Sequence, residues 1–600
     1  MTEGRGRPLT VQGDRTILAE VHAAGYAEAR DMLALFAELE KSPEHVHTYR
    51  ITPLSIWNAA AAGLTAERII RFLGEQSRYP VPPNVERDIE DNIRRFGLLR
   101  LQRQDGAPVP GAPVPGALVP GALVPGALVP GALVPGALVP GAPVPGALVL
   151  ASPDAALLAR IGGDAQLKRF FDGSRPVAGG LTVHEALRGE VKQALIRIGY
   201  PVEDLAGYTA GAALSFALLD TCRGSGGPFG LRPYQSEAAD VFHAGGTEKG
   251  GSGVIVLPCG AGKTVVGIGC LHRLQTQCLI LTTNTIAVRQ WRTELLDKTT
   301  LREDEVGEYT GDSKAVCPVT ISTYQMLTYR RRQTGEFSHF ALFSARDWGL
   351  VIYDEVHLLP APVFRVTAEI QARRRLGLTA TLVREDGHED EVFSLIGPKK
   401  YDVPWKILER QGWIATAHCV EVRLPLITEA SFTYQQAGSR DKFRIASENP
   451  DKLTTVRRLV ERHKDDRVLI IGQYLDQLDE LVRELGCPLI SGRTPTKERE
   501  DLYKRFRDGD LKLLAVSKVG NFAVDLPDAN VAIQVSGTFG SRQEEAQRLG
   551  RILRPKSDKR PAIFYSIVTR DSREEHFANN RQLFLTEQGY TYEIRDISRL

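Results

Sequence analysis

The sequence predicts a multi-domain α/β protein with two doubly wound parallel sheets, preceded by a helical domain and a small α+β domain. Its 600 residues exceed what one hydrophobic core organises. From residue 231 onward, short apolar runs alternate with helical patterns in two consecutive series, which is typical of parallel sheets covered by helices. A glycine-rich turn, LPCGAGKT (257–264), separates a strand from a helix in the first series.

The two series of apolar runs define the two larger domains, which we place at 221–408 and 409–600. The first series consists of Val254–Leu257, Cys278–Thr282, Val319–Ser322, Leu350–Tyr353 and Leu376–Leu378. The second series consists of Val468–Ile471, Pro488–Ile490, Leu513–Val516, Val531–Val535 and Ala562–Val568. Their β-branched and leucine content indicates strands buried on both faces.

The N-terminal part of the chain has a different texture. Residues 1–97 carry helical patterns, including an amphipathic stretch at 27–39, and predict a helical domain. Residues 98–220 mix helices and strands and predict a small α+β domain. Within them, 106–150 repeats GA(L/P)VP without any charge. Proline at every fifth position excludes a membrane helix and suits type II turns, so we expect a loose, functionally neutral loop at the tip of a hairpin.

Charge and cysteine usage limit the classes of function. Lys and Arg total 75 against 73 Asp and Glu, so bulk basicity does not argue for a nucleic-acid partner. The seven cysteines contain no C-x-x-C pair, which indicates neither a zinc site nor a disulfide framework. The N-terminus lacks the apolar core of a signal peptide. We therefore expect buried thiols in a reducing compartment.

The glycine-rich turn has the chemistry of a phosphate site. Backbone N–H groups of Gly260, Ala261 and Gly262 can converge on an anion at the N-terminus of the following helix. Lys263 can reach the β- and γ-phosphate oxygens, and the Thr264 hydroxyl can ligate Mg²⁺. The turn therefore predicts ATP and Mg²⁺ as cofactors.

A second constellation decides between this reading and a chance Gly-rich turn, because Leu257 stands where the usual pattern begins with glycine. Asp354 and Glu355 directly follow the buried run at 350–353. Ligands of such sheets bind at the carboxyl ends of the strands. We expect Asp354 to hold Mg²⁺ and Glu355 to orient and deprotonate the attacking water.

Two arginines of the second series complete the hydrolytic site. Arg551 and Arg554 stand three positions apart in QRLGRILR (547–554) and share one helix face. They could supply positive charge to the γ-phosphate from the neighbouring sheet. Nucleotide would then close the cleft between the two domains and hydrolysis would open it, as in a motor.

Five segments together carry a resemblance to a known family, namely LPCGAGKT, DEVH, LGLTATLVRED, SKVGNFAVDLPDANV and EAQRLGRILR. With these segments, the chain resembles the XPB family of superfamily 2 helicases in its shorter bacterial form. The resemblance covers nearly the whole chain except the repeat at 106–150. It implies two RecA-like helicase domains, ATP-dependent 3′–5′ DNA unwinding or duplex translocation in repair, a damage-recognition domain near 100–216 and a thumb-like segment near 425–450. The LRPYQ segment resembles one that reads adenine, which makes Gln235 the candidate for base contact.

Polar residues after strands are the candidates for DNA binding or for coupling it to hydrolysis. They are Thr283, Arg289, Thr323, Thr379, Thr381, the triplet Arg384, Glu385 and Asp386, and Lys518 on the second sheet. Each of them is also compatible with an ordinary loop. The run Arg330–Arg332 is either a DNA-facing patch or a solvated charge run.

We expect a DNA helicase of repair that acts at junctions of single and double strands. A duplex translocase that does not unwind, a DNA-damage binding module with an idle motor, and an RNA helicase are the alternatives. The expected partners are DNA and, as a candidate, a nuclease, without a membrane. We expect a monomer in the cytoplasm, associated with the nucleoid.

Overall fold

The structure is a computed structural model. It describes residues 7–41, 45–103, 147–171, 180–184, 187–247, 249–258, 260–330, 338–370, 373–380, 389–426, 428–517, 529–537, 545, 548–550 and 561–596. Several predicted residues lie outside these ranges, namely Arg331, Arg332, Thr381, Arg384, Glu385, Asp386, Lys518, Arg551, Arg554 and nearly all of the repeat.

The N-terminal unit is a mixed domain, which corrects the prediction of a helical one. Its strands are β1 (Leu9–Val11), β2 (Thr16–Glu20), β3 (Glu38–Lys41) and β4 (Val46–Arg50), and its helices are α1 (Tyr26–Leu33), α2 (Pro53–Ala61), α3 (Ala66–Gln76) and α4 (Pro83–Arg95). The strands pair antiparallel in the order β1-β2-β4-β3. The helix expected at 27–39 ends at Leu33 because a turn and an edge strand follow it.

The second unit is the predicted α+β domain. Its elements are β5 (Leu99–Arg103), β6 (Leu148–Ala151), α5 (Ala155–Gly163), β7 (Gly180–Val183), α6 (Arg188–Arg197) and β8 (Val202–Asp204). The last pair of the β5–β6 hairpin joins Arg103 to Leu148, so the repeat enters and leaves at the tip of this hairpin, as predicted. Arg188 and Lys192 both donate to Asp204, whose side chain is 10% exposed.

Lobe 1, the first RecA-like domain, begins with α7 (Pro233–His243) and continues through a parallel sheet. Its strands are β9 (Ser252–Val256), β10 (Cys278–Thr282), β11 (Val306–Tyr309), β12 (Val319–Thr323), β13 (Leu350–Asp354), β14 (Arg374–Thr379) and β15 (Lys399–Asp402). Its further helices are α8 (Lys263–Leu274), α9 (Thr285–Lys298), α10 (Tyr324–Thr328), α11 (Ala361–Glu369), α12 (Glu389–Leu395) and α13 (Trp405–Arg410). Among the described residues, the strand order is β11-β12-β10-β13-β14-β9-β15.

Lobe 2, the second RecA-like domain, repeats this plan. Its strands are β16 (Ala417–Leu424), β17 (Val468–Ile471), β18 (Leu489–Ile490), β19 (Leu513–Val516), β20 (Val531–Gln534), β21 (Ala562–Thr569) and β22 (Tyr592–Asp596). Its helices are α14 (Thr428–Gln436), α15 (Ser439–Ser447), α16 (Asp451–Arg462), α17 (Leu475–Leu485), α18 (Thr496–Asp508) and α19 (Arg573–Glu587). The described strands are parallel in the order β18-β19-β17-β20-β21-β16-β22. The prediction of two doubly wound parallel sheets is confirmed.

Most of the strands that the sequence did not predict lie at the edges of these sheets. Edge strands β11 and β15 have half-exposed residues and carry glutamate or lysine, so they lack the continuous apolar run of a buried strand. In lobe 2, β22 is likewise a polar edge strand, and β16 next to it was also missed.

The N-terminal unit touches both lobes. Leu583 of α19 packs into the core of the N-terminal unit. On the side of lobe 1, the Lys399 backbone N–H donates to Asn58 Oδ1 at 3.0 Å. In the part of the chain that the structure describes, no helix is long and apolar enough to cross a membrane.

Candidate active site

The glycine-rich turn folds into an anion cradle between β9 and α8. Gly260 and Gly262 have φ angles of 82° and 81°, in the left-handed region that favours glycine. Lys263 and Thr264 form the first turn of α8, whose leading backbone N–H groups have no partner within the helix. The N-terminus of the helix and the turn are therefore arranged to offer donors to an anion, and anion binding there stays a prediction.

The carbonyl of Ala261 fixes the turn to α7. It accepts hydrogen bonds from the Tyr234 hydroxyl at 2.6 Å and from Gln235 Nε2 at 2.9 Å. Gln235 Oε1 in turn accepts from the Arg232 backbone N–H at 2.9 Å. Gln235 thus supports the phosphate turn from a buried position, and its contact with a base stays a prediction. Leu257, where glycine is usual, is fully buried in the core.

The connection between the two lobes packs against Arg232 and Tyr234, which hold the glycine-rich turn. Trp413 lies between α13 and β16, at the passage from lobe 1 to lobe 2. The Arg232 guanidinium stands 4.9 Å from the centre of the Trp413 ring, and the Tyr234 ring meets that ring edge-on at 6.2 Å. A shift of this connection would therefore displace Tyr234 and, through its hydrogen bond, the carbonyl of Ala261.

The catalytic lysine and glutamate of the prediction are brought together. Lys263 Nζ lies 3.0 Å from Glu355 Oε1, and their side chains are 12% and 17% exposed. Glu355 has a φ of 52°, a strained conformation for a residue with a side chain. Burial alone would raise the pKa of Glu355, but attraction to Lys263 and His357 outweighs it and holds that pKa below its ordinary value.

Asp354 is held at the end of β13 by residues that the sequence did not single out as its partners. Trp291 Nε1 donates to Asp354 Oδ2 at 2.8 Å, and the Tyr324 hydroxyl donates to the Asp354 carbonyl oxygen at 2.9 Å. Burial, together with the neighbouring charge of Glu355, raises the pKa of Asp354 to about 6. A cation beside this carboxylate would therefore favour its ionised form.

A glycine in α8 makes room for the tryptophan. A Cβ atom at Gly267 would lie 2.5 Å from Trp291 Cη2 and 3.1 Å from Leu378 Cδ1. Trp291 can pass over α8 to reach Asp354 because this position has no side chain. Neither Gly267 nor Trp291 shows a sequence pattern that announces this role.

His357 connects the glutamate to the next strand. Its Nδ1 lies 2.7 Å from Thr379 Oγ1 and 3.5 Å from Glu355 Oε2. Thr379 is fully buried at the end of β14, which favours a coupling role over direct contact with DNA.

Three further predicted DNA residues that the structure describes lie along the carboxyl edge of the lobe 1 sheet. Thr283 follows β10 and its hydroxyl accepts from Asn284 Nδ2 at 3.0 Å. Thr323 ends β12 and caps α10 by accepting from the Met326 backbone N–H at 3.1 Å. Arg289 faces lobe 2, where it forms an exposed ion pair with Glu500 at 3.4 Å. Their contacts with DNA stay predictions.

Two RecA-like sheets, a phosphate cradle and a lysine–glutamate pair at the carboxyl edge define a two-lobed protein of the helicase class. Three family models match the chain. Residues 228–384 match the type III restriction enzyme res subunit, and residues 408–599 match the ERCC3/RAD25/XPB C-terminal helicase. Residues 9–109 match a helicase conserved C-terminal domain. This last match falls on the antiparallel N-terminal unit and the start of the next domain rather than on a parallel sheet.

Relatives with similarity over the whole chain place it in one family. The protein named DNA 3'-5' helicase XPB of Mycobacterium tuberculosis is 50% identical over 100% of this chain and 99% of its own length. Its namesake in Kineococcus radiotolerans is 48% identical over 99% and 97%. The general transcription and DNA repair factor IIH helicase/translocase subunit XPB of Antonospora locustae is 32% identical over 98% and 81%. The chain belongs to the XPB family of helicases.

Proposed function

We propose that this chain is an ATP-dependent 3′–5′ DNA helicase acting in DNA repair, in which ATP hydrolysis between the lobes is coupled to strand separation. The observation that carries the proposal is the Lys263–Glu355 pair at 3.0 Å. It joins the phosphate cradle to the acidic end of β13. The names of the bacterial relatives support DNA as the substrate and 3′–5′ as the direction.

The residues of the site fit ATP with Mg²⁺. The cradle offers backbone donors and Lys263 to phosphate oxygens, while Thr264 and Asp354 offer the oxygen ligands that Mg²⁺ prefers. In the described ranges, no group of three or more His, Cys, Asp or Glu side chains could hold a metal ion. Mg²⁺ would therefore be held with phosphate oxygens and water rather than by the protein alone.

The protein's own residues define the hydrolytic step. Glu355 would accept a proton from the attacking water at a carboxylate oxygen. Lys263 would leave Glu355 and bind the phosphates, which frees that carboxylate for the water. Mg²⁺, when bound, supplies neutralising charge at the β- and γ-phosphate oxygens. His357 would pass the change at Glu355 to Thr379 and so to the end of β14.

Lobe 2 would complete the site and make the hydrolysis directional. We assign Arg551 and Arg554 to the γ-phosphate and Lys518 to the DNA track, from their sequence motifs. Thr381 and the triplet Arg384, Glu385 and Asp386 are assigned to coupling and strand separation on the same basis.

The main alternative is an ATP-driven translocase on double-stranded DNA that remodels DNA or protein–DNA complexes without processive unwinding. It is favoured by the names of the eukaryotic relatives, which are helicase/translocase subunits. The ATP site would be the same in both functions.

The experiment combines ATP turnover with two strand-displacement assays on the purified full chain. A helicase separates a fork with a 3′ tail, not one with a 5′ tail, and its turnover rises with single-stranded DNA. A translocase displaces a triplex-forming strand from a duplex but leaves the fork paired. Turnover that no DNA stimulates would reject both functions and favour an idle motor, and stimulation by RNA alone would indicate an RNA helicase. The nuclease partner, the monomeric state and the nucleoid-associated cytoplasmic location stay predictions.

A further inference from the structure

An exposed aromatic ring lies beyond the polar residues at the carboxyl edge of lobe 1. Tyr329 directly follows α10 and is 59% exposed. Because an exposed tyrosine ring gains no stability from burial, the residues that hold this ring in place indicate a role other than packing. This ring also directly precedes the arginine run whose role the sequence left open.

Two further aromatic side chains back this ring. The Tyr329 and His339 rings lie 6.2 Å apart with a tilt of 41°. His339 Nδ1 is 2.9 Å from the Tyr309 hydroxyl, and those two rings meet edge-on at 5.6 Å. The Ser338 backbone N–H donates to the Tyr329 carbonyl oxygen at 3.4 Å, which brings the two chain segments together. We call Tyr329, His339 and Tyr309 the aromatic platform.

A lysine adds positive charge to the platform. The Lys314 ammonium lies 4.9 Å from the centre of the Tyr309 ring and donates to the Thr310 carbonyl oxygen. A backbone bridge between Tyr309 and Lys314 fixes the turn that carries both. An aromatic surface beside a cation is the combination that holds single-stranded nucleic acid, through stacking on bases and attraction of phosphates.

The platform continues the proposed DNA track. In the sheet register, Tyr309 of β11 stands beside Ser322 of β12, and Thr323 of β12 stands beside Thr282 of β10. Tyr309 therefore ends at the same edge as Thr323 and Thr283, one strand further out. The Ser322 hydroxyl donates to the Tyr309 carbonyl oxygen at 2.7 Å, which locks this alignment.

We propose that the aromatic platform is a DNA-binding site at which Tyr329 stacks on an unpaired nucleobase of the strand crossing lobe 1. This inference rests on the proposed function and names a contact for its substrate. Stacking needs no particular base, which suits a motor that moves along any sequence. A protein partner is disfavoured because protein interfaces have an apolar core, whereas the platform combines its exposed ring with a histidine and a lysine.

The test compares Tyr329→Ala, Tyr329→Phe and Tyr329→Trp in the full chain. Tyr79→Ala is the matched control, because Tyr79 is 64% exposed on the N-terminal unit. Single-stranded DNA with 2-aminopurine at successive positions reports stacking through fluorescence quenching, and anisotropy gives the affinity. Tyr329→Ala should weaken binding of the single strand about 5- to 100-fold and abolish quenching at one position. Tyr329→Phe and Tyr329→Trp should retain both, since stacking needs the ring rather than the hydroxyl.

Fully paired DNA separates stacking from simple charge attraction. Tyr329→Ala should change duplex affinity much less than single-strand affinity, because the bases of a duplex are not free to stack. Equal losses on both substrates would overturn the proposal, and so would Tyr329→Ala behaving like Tyr79→Ala. If the wild-type chain bound no DNA, the proposed function itself would be rejected. If the wild-type chain bound DNA normally and Tyr329→Ala bound it equally well, only the proposal for the aromatic platform would be rejected.

Discussion

Two lysine–glutamate pairs, one from each lobe, join distant parts of the chain and differ in their surroundings. In lobe 2, Lys452 Nζ lies 2.6 Å from Glu574 Oε1, and the two side chains are 1% and 0% exposed. Lys452 also donates to the Val535 and Ile567 carbonyl oxygens, and Glu574 accepts from the Thr569 backbone N–H. In lobe 1, the Lys263–Glu355 pair opens to solvent at the phosphate cradle.

The difference separates a structural pair from a working one. The Lys452 ammonium donates its hydrogen bonds to acceptors in the core of lobe 2. A ligand from solution therefore cannot replace these acceptors. Burial lowers the pKa of Lys452, and the charge of Glu574 only partly offsets this. Lys263, by contrast, would exchange Glu355 for phosphate in the proposed cycle without unfolding its lobe. We therefore expect damage to one pair to cost stability and damage to the other to cost activity.

The largest expected effect on stability follows from breaking the sealed pair. Lys452→Met leaves Glu574 charged in the core and should lower the free energy of unfolding of lobe 2 by about 3–5 kcal/mol. Lys263→Met should cost only about 1–2 kcal/mol, because Glu355 keeps His357 and access to water. Denaturant unfolding of both variants measures the two losses. Equal losses would erase the distinction between the pairs.

A smaller effect should follow from moving the tryptophan that holds Asp354. Gly267→Ala places a methyl group against Trp291 and should lower ATP turnover on the order of 10-fold, because the carboxylate loses its position. Gly269→Ala is the control in the same helix, since its added Cβ would meet the end of the flexible Leu231 side chain at 3.2 Å and Ala239 Cβ at 3.5 Å, and neither atom belongs to Trp291. Steady-state turnover of both variants decides, and similar rates would show that Trp291 does not position Asp354.

The smallest effect is a pH dependence of stability in the absence of nucleotide. Because the folded pKa of Asp354 is raised to about 6 from 3.8, the stability that its neutral form provides is lost as the pH rises through this window. Asp354→Asn cannot ionise, so its melting temperature should gain on that of the wild type as the pH rises from 4 to 6. A difference that shrinks over this range would contradict the raised pKa.

The sequence predicted the buried strands well because parallel sheets require continuous apolar runs. Predicted strands Cys278–Thr282, Val468–Ile471 and Leu513–Val516 agree with the structure to the residue. The N-terminal unit was mispredicted because its strands are short and half-buried. A strand such as β3 carries charges that a helix surface would carry equally well.

The candidate site was predictable where a local motif carries the chemistry. The turn at 260–264 and the acidic pair after β13 could be read directly. The support of the site could not, since Trp291 is far in sequence from Asp354, and Trp413 from Tyr234. Such contacts arise only when the sheet brings strand ends together. The Thr323 hydroxyl, which a motif suggested for DNA contact, caps α10 in the fold, and its contact with DNA stays a prediction.

The most direct test of the central claim is ATP turnover by Glu355→Gln at saturating ATP and single-stranded DNA. The substitution removes the proton acceptor and leaves the cradle in place. We expect ATP binding to persist and turnover to fall by about 10³-fold, within the range that a positioned general base provides. Glu574→Gln is the matched control from the sealed pair and should lose stability while the folded fraction still hydrolyses ATP. Turnover by Glu355→Gln equal to that of the wild type would contradict the assignment of this site as the engine of the helicase.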